Sequence, residues 1–348
     1  MLIDKRWPAR QIGAPGLGAG GKDEQAAWPM VSRGENTISR HDEAARAGWL
    51  YYVAGNTQDQ IAAKLGVSRQ SAQRLVSLAV SEGLIKVRLD HPIAKSMELA
   101  DRLAKRFSLD RVEVVPSDPG NPSTTIGVAE AAAAEIERWL KQPEPIVLAI
   151  GTGRTLKAAI EQLSPIECPQ HRIVSLTGNI SPDGAAAFYN VIFTMADKVK
   201  ARAFPMPLPV IASSPEEREM LHSQAMIRPT IDLVAMADIT FVGIGDLGPG
   251  APLFVDGFVN EAELKALQKA GAVGEICGWA FDRDGRYIDG ITNDRVASAP
   301  LPSRERSQVV ALAMGEKKVP AIRAALTRRL VNGLVTDEAT ASALLEEG

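Results

Sequence analysis

Two cysteines in 348 residues, Cys168 and Cys277, stand far apart and outside any CxxC pattern. That scarcity excludes a disulfide framework and a cysteine-based zinc site, and it fits a reducing cytoplasm. The four histidines (His41, His91, His171, His222) have no metal-ligand spacing and HxxxH is absent, so no metal site is expected. No run of eighteen apolar residues occurs, and the start lacks a basic-then-apolar signal pattern. The expectation is a soluble cytoplasmic protein with no membrane partner. A GxSxG nucleophile elbow is also missing, and no residue qualifies as catalytic. Neither sign of charge prevails: 39 Lys and Arg against 42 Asp and Glu leave a net charge of −3. Nucleic-acid binding would therefore need a local surface rather than bulk charge.

Hydrophobic residues make up 45% and charged residues 23%, ordinary globular usage that excludes a fibrous or wholly disordered chain. The length predicts two domains. Residues 1–40 hold a Gly/Ala/Pro-rich stretch with no sustained period and are expected to form a disordered arm.

Residues 41–91 read as a helical DNA-binding domain. Asp42–Ala54 forms a helix with Ala45, Trp49, Tyr52 and Val53 on one face. Asn56 or Thr57 caps a second helix whose inward residues are Ile61, Ala62 and Leu65. Gly66-Val67 turns the chain, and Ser68 caps a third helix burying Ala72, Leu75, Val76 and Ala79. Leu84–Arg88 alternates like a short strand. This is helix-turn-helix spacing, with Ala62 or Ala63 small where the helices approach. Ser68, Arg69, Gln70, Gln73 and Arg74 then project outward. Arg suits guanine, Gln adenine and Ser a phosphate, so double-stranded DNA is the expected partner. A three-helix bundle with a solvated polar face reads the same way, and charge does not separate them: six basic residues stand against five acidic ones over 41–90. One weakly charged module would bind DNA poorly, which favours an oligomer presenting several copies. Residues 92–107 form a helix with Ile93, Met97, Ala100, Leu103, Ala104 and Phe107 on one side. It serves either as a linker and oligomerisation element or as a helix packed on the next domain.

Residues 108–348 alternate between apolar strands and helices, the pattern of a doubly wound α/β domain. Strands are expected at Arg111–Val115, Pro145–Ile150, Arg172–Leu176, Val210–Ala212, Ile239–Gly245, Gly274–Cys277, Tyr287–Ile288 and, last, Gln308–Ala313. Helices fall at 124–140, up to 163, 185–200, after Ser214 and at 319–329. Ligands of such sheets sit at the carboxyl ends of the strands. There, Gly151-Thr-Gly-Arg-Thr155 offers backbone N–H groups, two hydroxyls and a helix N-terminus, an anion pocket that lacks the ending of a P-loop. Gly243-Ile-Gly245-Asp246 repeats the theme or is only a tight turn. Lys318 stands at a strand-to-helix junction where an ammonium reaches a phosphate, unless it is simply solvated. Asp246, Glu275 and Asp282 near strand ends can bind sugar hydroxyls or move protons.

These pieces occur in the order of a known family. The motifs TQDQIAAKLGVSRQSAQRLVSLAVSEGLI, IGTGRT, SLTGNI, DITFVGIGDLG, GAVGEICGWAFDRDG and ALAMGEKKVPAIRAALTRRLVNGLVTDEATASALL resemble those of the SorC-type sugar-binding transcriptional regulators, from about Glu43 to Leu345. The resemblance implies a second domain similar in fold to glucosamine-6-phosphate deaminase and ribose-5-phosphate isomerase. It implies binding of a phosphorylated sugar or polyol without turnover or cofactor, and a homo-oligomer, dimer or tetramer. On the matching positions, Gly151, Thr152, Gly153 and Thr155 would hold the phosphate with Lys318 as counter-charge. Glu275 and Asp246 would accept from hydroxyls, Gly178 and Asn179 would form the opposite wall, and Asp282 and Gly285 would shape a neighbouring turn. Met314 stands where the family has glycine, Trp279 lies in a variable stretch, and Ala72 replaces a larger aliphatic; the first two are expected to reshape the pocket. The implied function is a DNA-binding regulator, a repressor of a carbohydrate or polyol catabolic operon. The alternative is a sugar-phosphate isomerase or deaminase fused to a DNA-binding module, with Glu275 and Asp246 as acid and base.

Overall fold

The computed structural model describes residues 40–87, 93–121, 123–181, 184–185 and 191–346. The arm expected over 1–40 lies outside them apart from Arg40. Backbone contacts divide the chain into two units, with the boundary between Ile85 and Lys86.

The first unit holds three helices, α1 (Arg40–Tyr52), α2 (Gln58–Leu65) and α3 (Arg69–Ser81). Thr57 starts α2 with a capping box: its hydroxyl accepts from the Gln60 N–H while the Gln60 side chain accepts from the Thr57 N–H. Gly66, with φ at 67°, ends α2 in the left-handed region, and Ser68 caps α3 by accepting from the Ser71 N–H. Ile61, Ala62, Ala72, Leu75, Val76 and Ala79 form the core with Ala44 and Ala47. Ala62, not the exposed Ala63, is the small residue at the close approach.

Two local expectations are corrected. α1 buries Ala44, Ala47 and Gly48, whereas Trp49, Tyr52 and Val53 are exposed. The cause is proximity: a β-carbon on Gly48 would lie 2.7 Å from the Ala79 Cβ, so only small side chains fit between α1 and α3. Residues 84–87 form no strand; Arg88 lies outside the described residues.

The second unit runs α4 (Ala94–Phe107), β1 (Arg111–Val115), α5 (Ile126–Leu140), β2 (Val147–Ile150), α6 (Arg154–Gln162), β3 (Arg172–Ile180) and α7 (Ile192–Val199). There follow β4 (Arg202–Pro209), α8 (Pro215–Ser223), α9 (Arg228–Ala235), β5 (Ile239–Gly243), β6 (Gly245–Asp246), α10 (Pro252–Val255), α11 (Glu261–Lys269), β7 (Ala272–Ile276) and β8 (Trp279–Asp282). The chain then forms β9 (Gln308–Leu312), α12 (Val319–Thr327), β10 (Gly333–Asp337) and α13 (Glu338–Leu345). Seven strands make a parallel sheet in the order β1-β10-β9-β5-β2-β3-β4, and β6-β7-β8 form a small antiparallel sheet.

Alternate strand residues feed two cores. Val114, Ala149, Val174, Val242 and Ala311 meet Leu103 of α4, Leu233 of α9, Ile322 of α12 and Leu344 of α13. Leu148, Ile150, Ile173, Phe241 and Val310 meet Ile136 of α5, Leu156 of α6 and Met195 of α7. The sheet is thus covered on both faces, as continuous apolar strands require. α4 packs on β1 and α13 through Leu99, Leu103 and Phe107.

The strand expectations need four corrections. β4 carries Pro205, Pro207 and Pro209 and is an edge strand, where proline is tolerated, whereas the strand expected over Val210–Ala212 is only a bridge from Ile211 to Val296. The strand expected over Ile239–Gly245 breaks at Ile244, and Gly245 joins the small sheet with Asp246. β8 was not expected, and Tyr287 makes only an isolated bridge to Phe281. Gln308–Leu312 is not the last strand, since β10 follows and lies between β9 and β1. Of the helix expected at 185–200, the described part is α7; residues 186–190 lie outside.

Candidate functional site

The polar face of α3 carries Ser68, Arg69, Gln70, Gln73 and Arg74, all exposed. Their spacing puts 69, 70, 73 and 74 on one side of the helix, opposite Ala72, Leu75, Val76 and Ala79. Arg69 pairs with Asp59 of α2 at 3.4 Å; both are exposed, so the pair is weak.

In the second unit, the chain leaves β2 toward α6 and β3 on one side, and leaves β5 toward β9 on the other. β2 and β5 are neighbours, so a crevice opens at their carboxyl ends, the topological switch point of the sheet. A cavity of about 190 Å³ occupies it. Thr152, Gly153 and Thr155 line it from the β2 exit, Gly178 from β3, Asp246 from β6, Glu275 from β7 and Lys318 from the turn after β9. Gly151 and Asn179 are outside the lining. Gly151 is buried under the floor, where a β-carbon would meet Cys277 Sγ at 3.0 Å.

Gly153 has φ 134° and ψ 164°, a conformation essentially confined to glycine, and it starts α6, whose first residues Arg154 and Thr155 line the cavity. Gly315 plays the same part before Lys318, with φ 109°, and its N–H donates to Thr340 Oγ1 at 2.8 Å. Glu275 lies against Gly245 and accepts from the Gly278 N–H at 2.8 Å. Burial pushes the Glu275 carboxyl above its ordinary range, with Gly278 and Lys318 opposing and Asp246 adding to the rise. Burial pulls the Lys318 ammonium below its ordinary range, opposed by Glu275 and Asp246. An anion arriving beside Lys318 therefore meets a cation short of solvation.

Several lining residues escaped the sequence. Arg154 pairs with Asp256 of the α10 end at 3.8 Å, and both face the cavity. Arg154, Thr177 and Cys277 sit inside the motifs GTGRT, SLTGNI and GAVGEICGWAFDRDG, so a signal for them was present; Asp256 and Phe258 gave none. Burial holds the Cys277 thiol up at about 12, so it stays protonated. Met314 and Trp279 do not line the cavity: Met314 packs beneath the sheet and Trp279 lies over Tyr287 and Arg218. Asp282 shapes the expected turn by accepting from the Asp284 and Arg286 N–H groups, and Gly285 (φ 71°) packs against Arg328. No group of His, Cys, Asp or Glu among the described residues is arranged to hold a metal, and no described helix is long and apolar enough to cross a membrane.

Residues 91–346 match a family described as "Putative sugar-binding domain". The chain is 36% identical over 304 residues to the erythritol catabolism regulatory protein EryD of Brucella abortus (strain 2308), covering 87% of this chain and 96% of that one. It is 32% identical to the transcriptional regulator LsrR of Enterobacter sp. (strain 638), over 88% of this chain and 94% of LsrR. The full-length sorbitol operon regulator SorC from Klebsiella pneumoniae shares the fold, with a TM-score of 0.65 at 22% identity over 88% of this chain and 99% of SorC. These relatives are transcriptional regulators and not enzymes. The chain belongs to the SorC family of sugar-binding transcriptional regulators.

Proposed function

We propose that this protein is a cytoplasmic repressor of a carbohydrate or polyol catabolic operon, released by a phosphorylated sugar or polyol. Residues 41–91 are its DNA-binding domain, 92–107 its linker helix and 108–348 its effector domain. Two or more copies place α3 helices on a palindromic operator, with Arg69, Gln70, Gln73 and Arg74 toward the bases and Ser68 toward a phosphate. The effector's phosphate lies at Gly153, Thr152 and Thr155 opposite Lys318, and its hydroxyls donate to Asp246 and Glu275. Effector occupancy favours an arrangement that binds the operator less well. The observation that carries the reading is the convergence of the Gly153 turn, Lys318 and two carboxylates on one crevice at the switch point. The 36% identity to EryD, a regulatory protein of erythritol catabolism, supports a polyol over a larger sugar.

A thermal-shift panel of phosphorylated and unphosphorylated sugars and polyols tests it. A ligand that binds only the folded state raises the melting temperature by mass action. A shift given by phosphorylated compounds alone, and lost in Lys318→Ala, is the expected result. A shift from unphosphorylated compounds alone overturns the phosphate assignment.

A further inference from the structure

The two edges of the seven-stranded sheet are built differently. β4 carries prolines at 205, 207 and 209, which offer no N–H to a further strand, a common protection for an edge. β1 at the opposite edge has no proline, and it lines a groove of about 990 Å³ between α4 and α5. The Asp110 N–H donates to the Asn332 carbonyl on the β10 side at 2.8 Å. Polar backbone groups alternate sides along an extended strand, so Val112 and Val114 also turn theirs to β10. Arg111, Glu113 and Val115 turn theirs to the open edge. The Arg111 side chain adds a second unmet need. Its Nη2 reaches Glu135 at 3.2 Å and Glu113 at 3.5 Å, but its Nε is buried with no hydrogen-bond partner among the described residues.

We propose that the β1 edge is an interface with a second copy of this chain, in which two β1 strands pair antiparallel about a two-fold axis through Val112. The occupant and the register both follow from charge. Isologous pairing must place outward-facing residues opposite one another. An axis at Val112 sets Arg111 opposite the partner's Glu113 twice over, each a hydrogen-bonded backbone pair with opposite charges side by side. An axis at Glu113 satisfies the backbone equally but sets the two Glu113 carboxylates against each other. The strand is thus complementary to itself in one register. On the α4 face, Val112 meets its own copy and Met97, 54% exposed, gains cover. On the α5 face, Gly127, Ala131 and Ala134 are small enough to admit a neighbouring helix. This inference rests on the oligomer in the function proposed above and gives that oligomer an address.

The test is sedimentation of the full chain together with oxidative crosslinking. Glu113→Arg places like charges opposite one another and raises the dissociation constant of the assembly by about tenfold or more. Val112→Cys forms a covalent dimer under mild oxidation that reductant reverses, because directly opposed residues in a non-hydrogen-bonded pair sit about 4.5 Å apart at Cα. Wild type, whose Cys168 and Cys277 are buried, forms none. A monomeric wild type overturns both the oligomer and the edge. An oligomer unmoved by Glu113→Arg and uncrosslinked at Val112→Cys overturns the edge alone.

Discussion

Gly245 lies so close beneath Glu275 that a β-carbon on it would overlap the carboxylate oxygen Oε1. The absence of a side chain at 245 is therefore what lets the carboxylate stand at the cavity wall. Gly245→Ala forces Glu275 away from both the Gly278 N–H and the bound hydroxyl it is proposed to accept from. The expected loss is about 1–3 kcal/mol of effector binding, the cost of a broken buried hydrogen bond to a charged group. Calorimetric titration of the variant with the compound that gives the largest thermal shift measures it; unchanged affinity removes Glu275 from the binding set.

Glu275 also fixes a pH dependence. Burial raises its folded-state pKa above 4.5, so the native chain binds more protons than the unfolded one between those two values. Stability from this group is therefore greatest below the unfolded value and falls as pH rises through the raised one. Glu275→Gln is expected to flatten that decline, measured as denaturant midpoint against pH from about 4 to 8. An equal slope in variant and wild type contradicts the expectation.

Arg74→Ala removes an exposed guanidinium from the outer face of α3 without touching its core. Operator affinity is expected to fall by about 1–3 kcal/mol if the side chain reads a base. The effector-induced thermal shift should persist. Fluorescence anisotropy with operator and with unrelated duplex distinguishes a base contact from a phosphate contact, because the latter weakens both alike.

Gly178 has a structural duty beside its place on the cavity wall. A β-carbon there would strike the Leu208 and Pro209 carbonyls, which are backbone and cannot swing away. Gly178→Ala is expected to separate β3 from β4 locally and cost about 1–3 kcal/mol of stability, as overpacking does. Urea unfolding followed by circular dichroism gives the value.

The parts legible in the sequence were those set by local rules. Thr57 and Ser68 announce their helices by capping chemistry, and Ala72, Leu75, Val76 and Ala79 announce their face by period. The face of α1 is not set by its largest apolar residues, Trp49 and Tyr52: Gly48 is buried for its smallness, because Ala79 lies so close. β4 and β10 were hidden for a related reason: whether a proline-bearing or short apolar stretch becomes a strand depends on which strand lies beside it. At the cavity, Thr152, Gly153, Thr155 and Lys318 were visible at strand exits, while Asp256 and Phe258 reach the site from α10 and the turn after it, remote in sequence from the β2 exit they face.

The strand order has a consequence for the birth of the molecule. β1 finds its neighbour in β10, so Arg111–Val115 waits for Gly333–Asp337. During synthesis the three-helix unit has all its internal contacts long before then and can fold as it leaves the ribosome. The sheet cannot be closed until nearly the whole domain has been translated, because β9 and β10 enter between β5 and β1. Throughout that interval both margins of β1 lie bare. A nascent chain stalled before residue 333 should therefore be prized by chaperones and proteases, and should aggregate through the very strand that we assign to assembly.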